Sequence, residues 1–335
     1  MATTIPVNYK SSMDIRETQI ALKKVKDFFE RAIGASLNLT RVSAPLFVLP
    51  ETGLNDNLNG VERPVAFGIK EQGDKKAEIV QSLAKWKRFA LKQYGFHHGE
   101  GLYTDMTAIR RDEDTDNLHS IYVDQWDWER IIERNERNLD TLKEMVNDVY
   151  AALKETEDYV SDEYPYIRPS LPDSITFVDS QELEDEFPNL SPKERELEIC
   201  KRHGSVFVTR IGDVLKSGQK HDGRSPDYDD WSLNGDILVY YDVLDCALEL
   251  SSMGIRVDAA ALKYQLEKSH AESRENLPFQ KMILSDELPF TVGGGIGQSR
   301  ICLYFLKKAH IGEVQSSIWM DEDLKKLEEA GIKLL

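Results

Sequence analysis

The densest chemistry in the sequence is the run Gly293–Gly–Gly–Ile–Gly297–Gln–Ser–Arg300. Glycines let a backbone approach a ligand closely, and a helix beginning after them presents its N–H groups to an anion. A guanidinium at Arg300 would reinforce a phosphate site there. The run is not a dinucleotide fingerprint, because no strand–helix–strand unit with a spaced acid surrounds it. Nor is it a P-loop, because Gly-Lys-Ser/Thr is missing. The plain alternative is a tight turn leading into a core helix.

Four further groupings stand out. Two strand-like runs within residues 102–128 flank a charged loop beginning at Arg110, a hairpin pattern. On an extended strand His119, Ile121, Val123, Gln125 and Asp127 share one face, so Gln125 and Asp127 offer an amide and a carboxylate side by side. The alternatives are an exposed polar strand end and, for His119, a hydrogen-bonded structural histidine. Arg224, Asp229 and Asp230 could grip both ends of an amino acid, or form a solvated acidic loop. Asp236 and Glu249 fall on adjacent predicted strands, facing each other across a hairpin. Two facing carboxylates call for a cation, and Mg²⁺ carrying phosphate is a natural one. Arg256 follows as a candidate for a substrate carboxylate. In Ser82–Leu–Ala–Lys–Trp–Lys–Arg88 the default is a helix face of solvated lysines. The functional alternative puts Ser82 and Lys87 in a carboxylate pocket.

These groups need elements to position them. Residues 14–33 read as an amphipathic helix, with Ser12 as cap and Gly34 as stop. Residues 77–94 read as a second helix, with Ile79, Leu83, Trp86 and Ala90 on one stripe. Strands are expected in 37–49, 62–69 and 204–211, and as a pair around Asp242 within 236–250. A polar loop occupies 51–60. Residues 131–158 read as one or two helices, and further helices are expected at 259–268, 278–286 and 298–308. The acidic, proline-bearing stretch 161–196 reads as a surface insertion, and 293–297 as a glycine-rich turn. Hairpins outnumber strand–helix–strand units. The expected fold is therefore α/β (α+β), a mainly antiparallel mixed sheet flanked by helices.

Composition narrows the classes. The chain has 335 residues, 42 Lys plus Arg against 59 Asp plus Glu, and a net charge of −17. That acid excess argues against a protein whose main task is gripping a nucleic-acid backbone. A hydrophobic content of 41 % with 9 % aromatics is globular, so a disordered chain is not expected. No run is long and apolar enough to span a membrane, and no signal peptide is read at the N-terminus. Cys200, Cys246 and Cys302 stand far apart, which suits a reducing cytoplasm and gives no disulfide framework.

Taken in order, the blocks 55–57, 82–88, 99–104, 109–114, 119–129, 226–236, 249–256 and 293–300 closely resemble the ammonia-dependent aspartate–ammonia ligases, the AMP-forming asparagine synthetases of the A type. The resemblance covers nearly the whole chain, and 161–196 is the one unremarkable segment. That family is similar in turn to the catalytic domain of class II aminoacyl-tRNA synthetases, especially those for aspartate and asparagine. The resemblance implies a single catalytic domain over 1–335, usually a homodimer. It implies ATP as substrate and Mg²⁺ as metal. Arg110 matches the arginine on the α-phosphate and Arg300 the one near the γ-phosphate. Ser120, Val123, Leu250 and Gly295 are implied around the nucleotide, with Asp236 and Glu249 near ATP and Mg²⁺. Asp56, Ser82, Lys87, Gln125, Asp127, Asp229, Ser252 and Arg256 are implied for aspartate, with Arg224 as neighbour. The catalytic set that the resemblance implies is Asp56, Arg110, Gln125 and Arg300.

The implied partners are aspartate, ATP and ammonia, with neither nucleic acid nor membrane. Ammonia is the simpler nitrogen donor, because residue 2 is Ala2 and no cysteine lies in a recognisable glutaminase motif. Two rivals differ in visible features. A tRNA-charging synthetase needs an anticodon-binding domain, for which the sequence leaves no room before the catalytic blocks or after Arg300. A non-catalytic paralogue would be expected to lose Arg110 and Arg300, and both are present.

Overall fold

The computed structural model describes residues 3–58 and 62–335, so the end of the polar loop read over 51–60 lies outside the described residues. In chain order, α1 (Ile15–Ser36) leads to β1 (Leu39–Arg41), β2 (Phe47–Val48), β3 (Ala66–Ile69), β4 (Lys75–Ile79) and α2 (Ala84–Gln93). The hairpin β5 (Gly101–Ile109) and β6 (Tyr122–Ile131) follows, then α3 (Leu139–Glu163), β7 (Thr176–Asp179), α4 (Ser180–Glu186), α5 (Pro192–His203) and β8 (Ser205–Thr209). A second hairpin, β9 (Asp229–Tyr241) and β10 (Cys246–Arg256), precedes α6 (Ala259–Lys268) and α7 (Pro278–Leu284). β11 (Thr291–Gly297) runs directly into α8 (Gln298–Phe305), and α9 (Asp321–Glu329) comes last.

Among the described residues the main sheet has eight strands in the order β1-β5-β6-β11-β10-β9-β8-β7. Its interior pairings are antiparallel, and only the edge pairs β1–β5 and β7–β8 are parallel. The expected mainly antiparallel mixed sheet is therefore present. β2, β4 and β3 form a separate small sheet. The strand period of two divides β6. Trp126 and Trp128 enter the main core beneath α1 and α3, where Phe29 lies 4.7 Å from Trp126 between ring centroids. Val123, Gln125 and Asp127 point the other way, into a cavity.

Several local expectations are corrected. α1 is capped by Asp14, whose carboxylate accepts from Glu17 N at 2.8 Å, not by Ser12. It passes through Gly34, beside which the Tyr103 ring packs, and ends at Ser36. Residues 77–94 are the end of β4, a link and α2, not one helix, because Ile79 pairs with Phe47 in the small sheet. His119 and Ile121 precede β6 and are not on its face. The segment 161–196 is not a surface appendage. It supplies an edge strand of the main sheet, with Leu171, Ile175 and Leu183 buried in apolar clusters.

The run 293–297 is a strand in the middle of the sheet, not a turn. Its glycines answer to close neighbours instead of backbone bends. A Cβ on Gly293 would sit 2.2 Å from Glu129 Oε2, and one on Gly295 would sit 2.6 Å from Gln125 Oε1. Gly295 is paired with Asp127 on one side and Ser252 on the other, so this strand joins two sets of site residues.

Candidate active site

The cavity, of about 490 Å³, lies over β6, β11 and β10, and every site residue expected from the sequence lines it except Asp230 and Asp236. α2 brings Lys87 to its floor. Lys87 Nζ donates to Asp127 Oδ1, to Trp128 O at 2.8 Å and to Gly294 O at 3.0 Å. Asp127 accepts from Leu83 N at 3.2 Å, which places a carboxylate at the N-terminus of α2, where the helix dipole favours it. Lys85, Lys87 and Arg88 are all buried, so the solvated-lysine reading fails. Lys85 pairs with Asp227 behind the cavity, and Arg88 donates to backbone carbonyls of Pro289 and Val257.

Arg256 is held on all sides. Its Nε lies 3.0 Å from Glu129 Oε1, its Nη2 donates to Glu129 Oε2 at 2.8 Å, and its Nη1 donates to Asp229. Thr291 Oγ1 adds a bond to Glu129 at 2.7 Å. Burial opposes the charge of Glu129, but Arg256 and Lys87 outweigh it and hold the carboxyl below its usual range. Asp229 goes the other way. Burial and the nearby Glu129 push it up despite Arg256. Burial also lowers Lys87, helped by the charge of Arg256. Asp230 takes no part here, since it pairs with Arg137 at 2.8 Å.

Asp56 stands over this end. Ser82 Oγ donates to its Oδ2 at 2.7 Å and Leu58 N to its Oδ1 at 2.9 Å. Asn55 fixes the segment by accepting from the backbone of both Asp56 and Gln81 at 3.0 Å. Tyr228 lies close by, and burial together with Asp56 and Asp229 keeps it a neutral phenol.

The other end is looser. Arg110 follows β5, and its buried Nε has no hydrogen-bond partner among the described residues. Arg300, in the first turn of α8, donates to Glu249 O at 3.1 Å and lies 3.5 Å from its carboxylate. Burial works against the charge of Glu249, but Arg300, Arg224 and Lys193 hold its carboxyl down to about 2. A bulge in β10 between Glu249 and Ser251 lets Glu249, Leu250 and Ser252 all reach the cavity. The expected facing pair is not formed, because the hairpin register puts Asp236 opposite Ser252 and Glu249 opposite Leu238. Asp236 is buried behind Arg224, which bridges it to Ser252 Oγ at 2.9 Å and Asp222 at 3.1 Å. Burial pushes Asp236 up against the pull of Arg224. Ser120 Oγ donates to Ser317 Oγ at 2.8 Å at the cavity edge.

The N-terminus of α8 is not the open anion site that the glycine run suggested. Ser299 N donates to Asp124 Oδ1 at 3.0 Å, and Lys26 balances that carboxylate at 3.0 Å. Arg110 and Arg300 instead bring positive side chains to this end of the cavity. Sequence reasoning missed three residues. Glu129 shares the strand parity of Gln125 and Asp127, which could have found it. Tyr228 sits inside a recognised block. Lys193 reaches the cavity from α5, and its sequence neighbourhood carries no signal.

A family model described as aspartate-ammonia ligase matches residues 16–331. The chain is 62% identical over 330 residues to a protein of Ruminiclostridium cellulolyticum named aspartate–ammonia ligase, covering 98% of each chain. The chain belongs to the aspartate–ammonia ligase family. Another member, from Limosilactobacillus reuteri, is 56% identical over 336 residues, covering 100% of both chains. Solved structures place this ligase-family chain in the class II aminoacyl-tRNA synthetase fold. Asparaginyl-tRNA synthetase from Pyrococcus horikoshii, complexed with asparaginyl-adenylate, superposes with a TM-score of 0.66 at 16% identity, over 91% of this chain and 71% of that one. Aspartyl-tRNA synthetase from Entamoeba histolytica gives 0.58 at 12%, over 90% and 59%.

The Mg²⁺ implied by resemblance can be tested on the donors. Asp236 Oδ1 is buried with no hydrogen-bond partner among the described residues, and Glu249 faces the cavity. One or two carboxylates suit Mg²⁺, which takes its other ligands from phosphate and water. These two residues fit it. Among the described residues no larger cluster of His, Cys, Asp or Glu could hold a metal by itself.

Proposed function

We propose that the chain makes L-asparagine from L-aspartate and ammonia, converting ATP to AMP and pyrophosphate through β-aspartyl-AMP. The observation that carries this reading is one cavity with two unlike ends, in a chain 62% identical to a named aspartate–ammonia ligase. One end is a closed set of paired charges suited to a small zwitterion. The other presents loosely held arginines suited to a polyphosphate.

In the first step a β-carboxylate oxygen of aspartate attacks the α-phosphorus, and the bond to pyrophosphate breaks. Lys87, Asp127, Ser252 and the Arg256–Asp229 pair orient the amino acid. Arg110 neutralises charge growing on the α-phosphoryl oxygens, and Arg300 neutralises the departing end. Ser120, Val123, Leu250 and the bare backbone at Gly295 line the nucleotide. Mg²⁺ held by Glu249 and Asp236 would supply further charge neutralisation on phosphate oxygens.

In the second step ammonia attacks the acyl carbon and AMP leaves with the bonding electrons. Solution offers mostly ammonium, so a carboxylate at the acyl carbon attracts it and takes a proton. Asp56, oriented by Ser82, has that role, with Gln125 as hydrogen-bonding neighbour. The working form is a cytoplasmic homodimer. Exposed Ile15 and Ile20 on α1 leave apolar surface for a second copy, and among the described residues no helix is long and apolar enough to cross a membrane.

Purified protein incubated with aspartate, ATP, Mg²⁺ and ammonium, without tRNA, is expected to yield asparagine and AMP in equal amounts. Absence of both, or ADP in place of AMP, overturns the reading.

A further inference from the structure

We infer that Lys193 is a polyphosphate-binding residue, which turns from Glu196 to the β- and γ-phosphates of ATP and to the pyrophosphate they become. The inference rests on the reading above. Lys193 stands in the first turn of α5, outside every block that suggested the function, yet it lines the cavity beside Glu249, Asp222 and Arg224. The cations around it are already engaged by carboxylates. Arg224 pairs with Asp222 and Asp236, and Arg300 lies 3.5 Å from Glu249, so their pull on a tail of several negative charges is reduced. Lys193 adds a cation whose own counter-charge, Glu196, is shared with His221.

Its present contact is one it can leave. Lys193 Nζ lies 2.9 Å from Glu196 Oε2, one turn along the helix, and the side chain is 64% exposed. The lysine end of the pair stands in solvent although Glu196 is buried, and the four-carbon stem turns freely. The buried Lys85 and Lys87 have no such freedom. Glu196 does not depend on Lys193 alone, because its other oxygen is 3.0 Å from His221 Nε2 and both side chains are buried. Lys193 can therefore swing to a phosphate while the buried pair stays in place.

The test is aspartate-dependent exchange of pyrophosphate into ATP. Lys193→Ala is expected to raise KM for both ATP and pyrophosphate by about tenfold, with KM for aspartate unchanged. Lys193→Arg should stay close to the parent. If Lys193 serves only to neutralise Glu196, the double variant Lys193→Ala/Glu196→Gln recovers the parental KM. Under the proposal it does not. Recovery in the double variant, or KM for ATP and pyrophosphate within twofold of the parent in Lys193→Ala, overturns the proposal. A parent protein that exchanges no pyrophosphate at all would instead overturn the functional reading.

Discussion

At the amino-acid end of the cavity Lys87, Asp127, Glu129, Asp229 and Arg256 are buried, and each of the three guanidinium nitrogens of Arg256 faces a carboxylate. At the nucleotide end Arg300 keeps 21% of its side chain exposed, and Arg110 has no ion pair among the described residues. The first end has its charges desolvated and paired during folding, so it meets a small amino acid with a fixed array of donors and acceptors. The second leaves Arg110 and Arg300 less fully paired, which suits the phosphates of the proposed nucleotide. A flexible polyanion that must also leave as pyrophosphate is better served by contacts that can be made and released. Rigidity and looseness within one cavity thus match the two substrates proposed for it.

Substitutions can break this comparison. Arg256→Ala is expected to act first on the fold. It strands Glu129 and Asp229 as uncompensated buried carboxylates, at a cost of about 3–5 kcal/mol. Urea denaturation should show the loss with or without substrates. Arg110→Ala is expected to leave the urea midpoint unchanged while adenylate formation falls about a hundredfold, or about 3 kcal/mol of transition-state stabilisation. Were Arg110→Ala as destabilising as Arg256→Ala, the nucleotide end would be a packed structural element and the contrast would fail.

The same contrast explains what the sequence made legible. The β5–β6 hairpin declared itself, because alternation puts Trp126 and Trp128 on one face and Gln125 and Asp127 on the other, and local period is what sequence shows best. The positions that line the cavity were legible through block resemblance. Their states were not. Lys87 reads as a solvated lysine from its helix, since its partners Asp127, Trp128 and Gly294 come from two distant strands. Gly293 and Gly295 read as a turn, because the atoms that exclude a Cβ belong to other strands. The edge strand β7 reads as an insertion, because its pairing with β8 is a non-local bond that no short window contains. In each case the deciding neighbour lies far along the chain.

Asp56 offers a finer division, between the two chemical steps. Asp56→Asn keeps the size, and its amide can still accept from Leu58 N while donating to Ser82 Oγ, but it loses the charge proposed to draw ammonium and the base proposed to take its proton. Pyrophosphate exchange is expected to stay near the parental rate, while asparagine formation slows by about a hundredfold. Equal loss in both assays would make Asp56 part of the fixed aspartate array.

The smallest expected effect compares two carboxylates whose charge is favoured in the fold, Glu129 in the closed end and Glu249 in the open one. Glu249 is held at about 2 against an ordinary 4.5. A carboxyl lowered on folding adds stability above its unfolded value, and that stability is lost as pH falls through the folded value. The urea midpoint of the parent should therefore decline below about pH 4.5. Glu249→Gln lacks this contribution at every pH. It should start slightly below the parent at neutral pH, decline less steeply, and converge with it in acid. The difference stays small because Glu249 is 32% exposed and solvent screens its pairing with Arg300. Glu129→Gln should instead be strongly destabilised at neutral pH, because it leaves Arg256 short of a buried counter-charge. Equal losses in the two variants at neutral pH would mean that the charges of the nucleotide end are paired as tightly before ATP arrives as those of the aspartate end.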